Sequence, residues 1–374
     1  LPEKIPIVSP TLPDPTVLLP TLTDIFASGR VTVGPQVASL EQEVCRLTGA
    51  THTVAVSCGT SALMLIARAL DLPPGGEVII PSFTFAATAE AMLWAGLVPV
   101  LCDSEAESFT LDARAAETLI TPRTCAICPV CVFGVPGDLD AYADLADRHR
   151  LALFYDTAQG LGGQYRGQGL GGFGRAEAFS MSPTKVVTAL EGGLVTTNDG
   201  DLAGRLRYLR DYGKSPDPME GMRWLGLSAR MTEVNAAVAR WSLARVEQWV
   251  ANRQAIMEHY RKRLAGIPGV SFQVIPEWCR SARNYFVILL DPAEAPVSRD
   301  DLYHRLHQDH IETKRYFHPA LHHQPAFQGR VRTPAALPVA ERLAATSLAL
   351  PMYSHMSLET VDAVCDRVLV HAYA

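Results

Sequence analysis

The chain of 374 residues has no excess of basic charge: 33 Lys and Arg stand against 39 Asp and Glu, for a formal net charge of -6 with histidine neutral. Nucleic acid and acidic membrane surfaces both call for a basic footprint, so neither is the expected partner. Long apolar runs are also missing. No uncharged apolar stretch reaches the roughly 18 residues of a spanning helix, and the nearest, AMLWAGLVPVLC, is too short and contains a turn. The opening LPEKIPIVSPTLPDPTVLLP is broken by prolines and lacks the basic start and continuous apolar stretch of a secretory signal, so the expected location is cytoplasmic. Neither repeats nor low-complexity segments occur. What is present is an ordinary globular composition, 48% hydrophobic and 19% charged. The length allows two domains, because single cores stop growing at roughly 250 to 300 residues.

Metal chemistry has one candidate, the C-x-x-C-x-x-C spacing of Cys125, Cys128 and Cys131. The surrounding TCAICPVCVFG reads as a buried strand, in which side chains alternate faces, so Cys128 should point away from the other two. Reduced, buried cysteines are the expectation, and no metal.

From about residue 36 to 200, short apolar runs alternate with helical patterns. QVASLEQEVCRLTGA spaces Val37, Leu40, Val44 and Leu47 along one helical face and stops at Gly49. HTVAVS, EVIIP, VPVLCD, TCAICPVCVFG and LALFYD read as strands, with helices between them. Strands that are apolar on both faces and joined by helices predict an α/β fold with a mostly parallel sheet covered on each side. After residue 200, the segment ARMTEVNAAVARWSLARVEQWVANRQAIMEHYRKRLAG keeps helical periodicity far enough to bridge two domains. We expect a large domain over 1–249 and a smaller C-terminal α+β domain over 250–374.

Ligands of an open parallel sheet bind beyond the carboxyl ends of its strands. Three such ends stand out. In AVSCGTSALML, Ser57, Gly59, Thr60 and Ser61 lie where a strand turns directly into a helix; free N–H groups and the helix dipole can hold a phosphate there, although a plain N-cap uses the same residues. In LALFYDTAQG, Asp156 ends an apolar strand, and a desolvated carboxylate requires a cationic partner unless it caps a helix. A protonated ring nitrogen is such a partner, and Gln159 can reach the same ligand. In FSMSPTKVVTALEGG, Lys185 is either a surface-turn lysine or an amine shielded from water. In the second case it titrates downward and can attack a carbonyl. Ser180, in the preceding strand, can join the phosphate cup, and Phe85 can stack on a ring or fill the core. Phosphate cup, carboxylate and amine together describe pyridoxal 5'-phosphate.

These residues, in the blocks VSCGTSALMLIARAL, EVIIPSFTFAATAEAMLWAGLVPVLCD, YDTAQGLGGQYRGQGLGGFGRAEAFSMSPTKVVTALEGGLVTTND, GLSARMTEVNAAVA and LPVAERLAATSLALPMY, resemble the DegT/DnrJ/EryC1/StrS sugar aminotransferases, which have the aspartate aminotransferase (type I) fold. The resemblance implies that Lys185 holds the cofactor by its aldehyde and shuttles the proton once released. It also implies that Asp156 pairs with the pyridine nitrogen, Gln159 lies near the phenolic oxygen, Phe85 stacks, and Gly59, Thr60, Ser61 and Ser180 hold the phosphate. A homodimer with active sites at the subunit interface is implied too. Where the family usually reads G-x-N-x-R, with the Asn reaching the neighbouring subunit's cofactor phosphate, this chain has Ser228 in GLSAR. A shorter side chain weakens that contact or routes it through water. In KRYFHPALHHQPAF, Lys314, Arg315, Tyr316 and His318 are candidates for substrate contact, or else solvated surface residues.

The expected reaction is transfer of an amino group from L-glutamate or glutamine to a nucleoside-diphosphate-linked keto-sugar. A histidine at the Lys185 position, found in part of the family, goes with dehydration, so the lysine argues for transamination. Glu191 before the glycine pair, where enzymes acting at carbon 3 tend to have Asp, favours carbon 4 of a 4-keto-6-deoxyhexose. Action at carbon 3, a keto-cyclitol substrate, and a non-catalytic regulatory or scaffold role are the alternatives.

Overall fold

The protein is described here by a computed structural model covering residues 4–334 and 336–373. The first half alternates as the sequence predicts: α1 (Pro15–Ser28), α2 (Pro35–Thr48), β1 (His52–Val56), α3 (Gly59–Ala69), β2 (Glu77–Pro81), α4 (Ala86–Trp94), β3 (Val98–Cys102), α5 (Ala113–Thr118), β4 (Thr124–Ile127), α6 (Leu139–His149), β5 (Ala152–Leu153) and β6 (Tyr155–Asp156). A small hairpin, β7 (Gln164–Tyr165) and β8 (Gln168–Gly169), precedes β9 (Glu177–Ser180), β10 (Gly193–Thr197) and α7 (Gly200–Leu209). The remainder comprises α8 (Glu233–Leu243), α9 (Val246–Leu264), β11 (Val270–Phe272), β12 (Cys279–Arg280), β13 (Phe286–Leu290), α10 (Arg299–Gln308), α11 (Pro338–Thr346), β14 (Ser347–Leu350) and α12 (Leu358–Tyr373).

The central sheet runs β3-β2-β4-β5 in parallel and continues through β6-β9-β10-β1. Only Phe154 separates β5 from β6, and its N–H still bonds to the carbonyl of Ile127 at 3.2 Å. β10 is antiparallel to both its neighbours, so the sheet is mostly parallel as expected. Its strands are apolar on both faces because both are covered. Val54, Val56, Val78, Ile80 and Ala126 pack with α3, α4 and α7, whereas Ala55, Ile79, Val100 and Ile127 pack with α2, α6 and α8. A third core gathers α9, α10, α12 and the antiparallel sheet β11-β13-β14, together with Ile5.

Two expectations need correction. The long helical segment is broken: α8 ends at Leu243 and α9 begins at Val246. Arg245 sits between them with φ -115° and ψ 3°; it donates to the carbonyl of Trp241 at 2.9 Å, and its guanidinium lies 4.1 Å from the centroid of that indole. The side chain thus satisfies a carbonyl that the interrupted helix leaves open. Among the cysteines, Cys128 and Cys131 do fall in different cores, but Cys125 packs beside the core of Cys128. Thr124 pairs with Glu77 and Ala126 with Val78, which makes Cys125 the extra residue of a bulge and breaks the alternation.

Candidate active site

A cavity of about 420 Å³ opens at the carboxyl ends of the central strands. Gly59, Thr60, Phe85, Asp156, Gln159, Ser180, Lys185, Lys314 and Tyr316 all line it, although they come from positions 59 to 316 of the chain. Their convergence follows from the fold, since each of the first seven sits at or just after a strand end or at a helix start.

The side of the cavity whose groups suit an anion is built at the start of α3. First-turn N–H groups of a helix have no intrahelical acceptor and carry the positive end of its dipole. A Cβ on Gly59 would lie 2.9 Å from the Cβ of Ser180, so glycine lets the end of β9 come against this helix terminus. Gly193 is needed for the same reason, as its Cβ would fall 2.3 Å from the carbonyl oxygen of Cys58. Ser61 does not line the cavity. Its hydroxyl donates to the Cys58 carbonyl at 2.8 Å and accepts from the Cys58 N–H at 3.1 Å, closing a capping box.

Asp156 is buried. Thr88 Oγ1 donates to its Oδ2 at 2.7 Å and the Ala158 N–H to its Oδ1 at 3.1 Å. Burial nevertheless holds its pKa above the ordinary carboxylate value, against the opposing pull of Thr88, the Ala158 N–H and the charge on Lys185. Gln159 accepts from the Phe133 N–H through Oε1 at 2.7 Å, which leaves its NH2 as the group available to a ligand. Lys185 lies on the loop between β9 and β10, with its Nζ 5.9 Å from the centroid of the Tyr285 ring. Burial alone would raise the Tyr285 pKa. The Lys185 charge, hydrogen bonds with Thr184 and Tyr316, and the Lys314 charge outweigh it and hold the phenol below its usual range.

Phe85 stands at the N-cap of α4, on the rim between the cavity and an adjoining recess of about 330 Å³. The recess is lined by Arg315, His318 and Tyr303, with the Arg315 guanidinium 4.7 Å from the Tyr303 centroid. His318 therefore lies beside the main cavity, not in it. Burial, followed by the charges of Arg299 and Arg315, depresses its pKa. Ser228 lines neither space; it is exposed, bridges to Asp211, and through its hydroxyl lowers the pKa of Tyr212.

Thr88, Thr184 and Tyr285 were not singled out from the sequence. Thr88 had a faint signal, a hydroxyl within the alanine-rich start of a helix that follows a strand end. Tyr285 opens the apolar run YFVILL, a strand-like pattern that carries no sign of a site.

An amine, a buried carboxylate, a neutral donor and a helix terminus with two hydroxyls, all on one cavity, fit a phosphorylated pyridine aldehyde. The close approach that Gly59 permits is a specific feature of that fit. Fold and site together define the type I class of pyridoxal-phosphate-dependent transferases. Within it, the chain belongs to the DegT/DnrJ/EryC1/StrS aminotransferase family, whose family model matches residues 17–369. It is 39% identical over 341 residues to the erythromycin biosynthesis sensory transduction protein EryC1 of Saccharopolyspora erythraea, covering 91% of both chains. It is 35% identical over 345 residues to the dTDP-3-amino-3,4,6-trideoxy-alpha-D-glucose transaminase of Streptomyces venezuelae, covering 91% of this chain and 89% of that one. Among solved structures, DesI in the presence of its TDP-sugar product superposes with a TM-score of 0.93 at 33% identity, covering 100% of this chain and 94% of the other.

Proposed function

We propose that the protein uses pyridoxal 5'-phosphate to transfer an amino group from L-glutamate or glutamine to a nucleoside-diphosphate-linked keto-deoxysugar, at carbon 4 of a 4-keto-6-deoxyhexose. The observation that carries this reading is that Lys185 and Asp156 line one cavity together with Gly59, Thr60 and Ser180 at the start of α3. When bound, the cofactor supplies the electron sink that makes a carbon next to nitrogen acidic. Lys185 would hold the cofactor at its aldehyde and would carry the proton on Nζ. Asp156 keeps the pyridine nitrogen protonated, Thr88 orients Asp156, and Gln159 offers its NH2 to the ring. Thr60, Ser180 and the N-terminus of α3 hold the phosphate, with Ser61 acting through the cap, and Phe85 covers one face of the ring. Lys314, Tyr316 and His318, with Arg315, receive the substrate, the cations meeting its diphosphate. Ser228 reaches the site of a second copy in a homodimer.

The position aminated rests on Glu191, and the Streptomyces relative named for a 3-amino sugar supports carbon 3 as the second reading. The sensory-transduction name of the erythromycin relative supports a regulatory role instead. One set of parallel incubations separates them: the cofactor-loaded protein with L-glutamate or glutamine and, in turn, a nucleoside-diphosphate 4-keto-6-deoxyglucose, its 3-keto isomer and a keto-inositol, with each product assigned by NMR. An amine at carbon 4 is expected. An amine formed only from the 3-keto isomer overturns the position, amination of a keto-inositol instead overturns the substrate class, and failure to transfer nitrogen from any donor overturns the enzymatic reading.

A further inference from the structure

Beyond the recess, the chain makes a short 3-10 turn, Leu321–His323, that presents two adjacent histidines. α11 brings Glu341 against them. Among the described residues, one nitrogen of His322, one of His323 and a carboxylate oxygen of Glu341 lie within 4.8 Å of one another. His322 Nε2 is 3.1 Å and His323 Nε2 3.9 Å from the same oxygen, Oε1. A simple ion pair has no use for the second imidazole, yet the two rings lie with centroids 4.0 Å apart and both Nε2 atoms near one oxygen.

The environment of His322 is also that of a metal ligand. Its side chain is 9% exposed, and its other nitrogen, Nδ1, is 2.8 Å from Ser82 Oγ. Ligating histidines commonly have the second nitrogen engaged in this way, which fixes the ring and aims the free nitrogen at the ion. His323 and Glu341 are exposed, so the third side of the triangle opens to solvent and leaves room for water. Two imidazoles, one carboxylate and an open position form a donor set that suits zinc and similar first-row cations.

We propose that His322, His323 and Glu341 bind a divalent first-row cation, with zinc as the best match. The ion's role is to brace. None of the three side chains lines the cavity or the recess. Ser82, however, lies two residues before Thr84 and three before Phe85, both of which face these spaces, and its carbonyl accepts from the Leu321 N–H at 3.3 Å. Bound metal would join this turn and α11 to the loop that forms the cavity rim. The site stands apart from the catalytic reading and survives or fails independently of it.

The test is calorimetric titration of zinc chloride into the full chain, stripped of metal by chelation, reloaded with pyridoxal phosphate and held in a non-coordinating buffer. One saturable equivalent per chain is expected in the wild type and not in His323→Ala. Glu341→Gln should weaken it at least about tenfold, and Ser82→Ala, which removes no ligand atom, about 10- to 100-fold. Both His323 and Glu341 are exposed, so loss through misfolding is avoided. Absence of a saturable equivalent in the wild type overturns the proposal. So does an equivalent that persists unchanged in both His323→Ala and Glu341→Gln.

Discussion

Two buried carboxylates sit on neighbouring strands and are handled in opposite ways. Glu177, at the start of β9, accepts from Thr157 Oγ1 at 2.7 Å, the Gly171 N–H at 2.6 Å and the Phe173 N–H at 3.0 Å. Asp156, at the end of β6, has Thr88 and the Ala158 N–H, and then faces the cavity. Burial raises both pKa values, that of Glu177 to about 7 despite its three donors. Depth alone therefore does not mark a functional acid. The difference is closure: Glu177 is enclosed by its own chain and ties a loop to the sheet, while Asp156 faces a space that also holds an amine and a helix terminus.

Substitutions can sharpen that contrast. Lys185→Ala should lower transamination on the order of 10⁴-fold, with melting temperature retained, because the amine lines a cavity and supports no core. Asp156→Asn should cost about 10² to 10³-fold in rate while leaving stability equal or higher, since it removes a charge that burial opposes. Thr88→Val deletes a donor that favours the ionised carboxylate. The Asp156 pKa should then rise further, and the acid limb of the kcat/KM profile should move to higher pH with about a tenfold loss below it.

Glu177→Gln should alter the rate by less than about twofold and appear instead in stability. The folded carboxyl titrates near 7 against an ordinary 4.5, so its contribution is complete below about 4.5 and drains away as pH rises through 7. Urea unfolding at pH 5 and pH 8 should therefore show the wild type losing on the order of 3 kcal/mol more than the variant over that interval. A Glu177→Gln enzyme as impaired as Asp156→Asn would break the comparison.

The residues that line the cavity were legible because they occupy positions that periodicity can locate. A strand that ends in Asp156, a helix that starts at Gly59, and a lysine before a glycine pair are local patterns. Thr88 was not legible, because its value lies in meeting Asp156 from a helix 68 positions earlier, a tertiary fact. Tyr285 was hidden for the same reason, as its phenol matters only where the small antiparallel sheet meets the Lys185 loop. The break at Arg245 escaped because every residue around it tolerates a helix. Ser61 shows the converse: the residue type suited a phosphate cup, and the hydroxyl went to the cap that shapes it.

The central claim is that Lys185 and Asp156 frame one cofactor. It is tested most directly by the absorption spectrum of the purified protein with added pyridoxal phosphate, before and after L-glutamate, beside Lys185→Ala. The account predicts a yellow band in the wild type that glutamate bleaches and that the variant does not form. A colourless wild type, or a variant with the same band and the same response to glutamate, would contradict it.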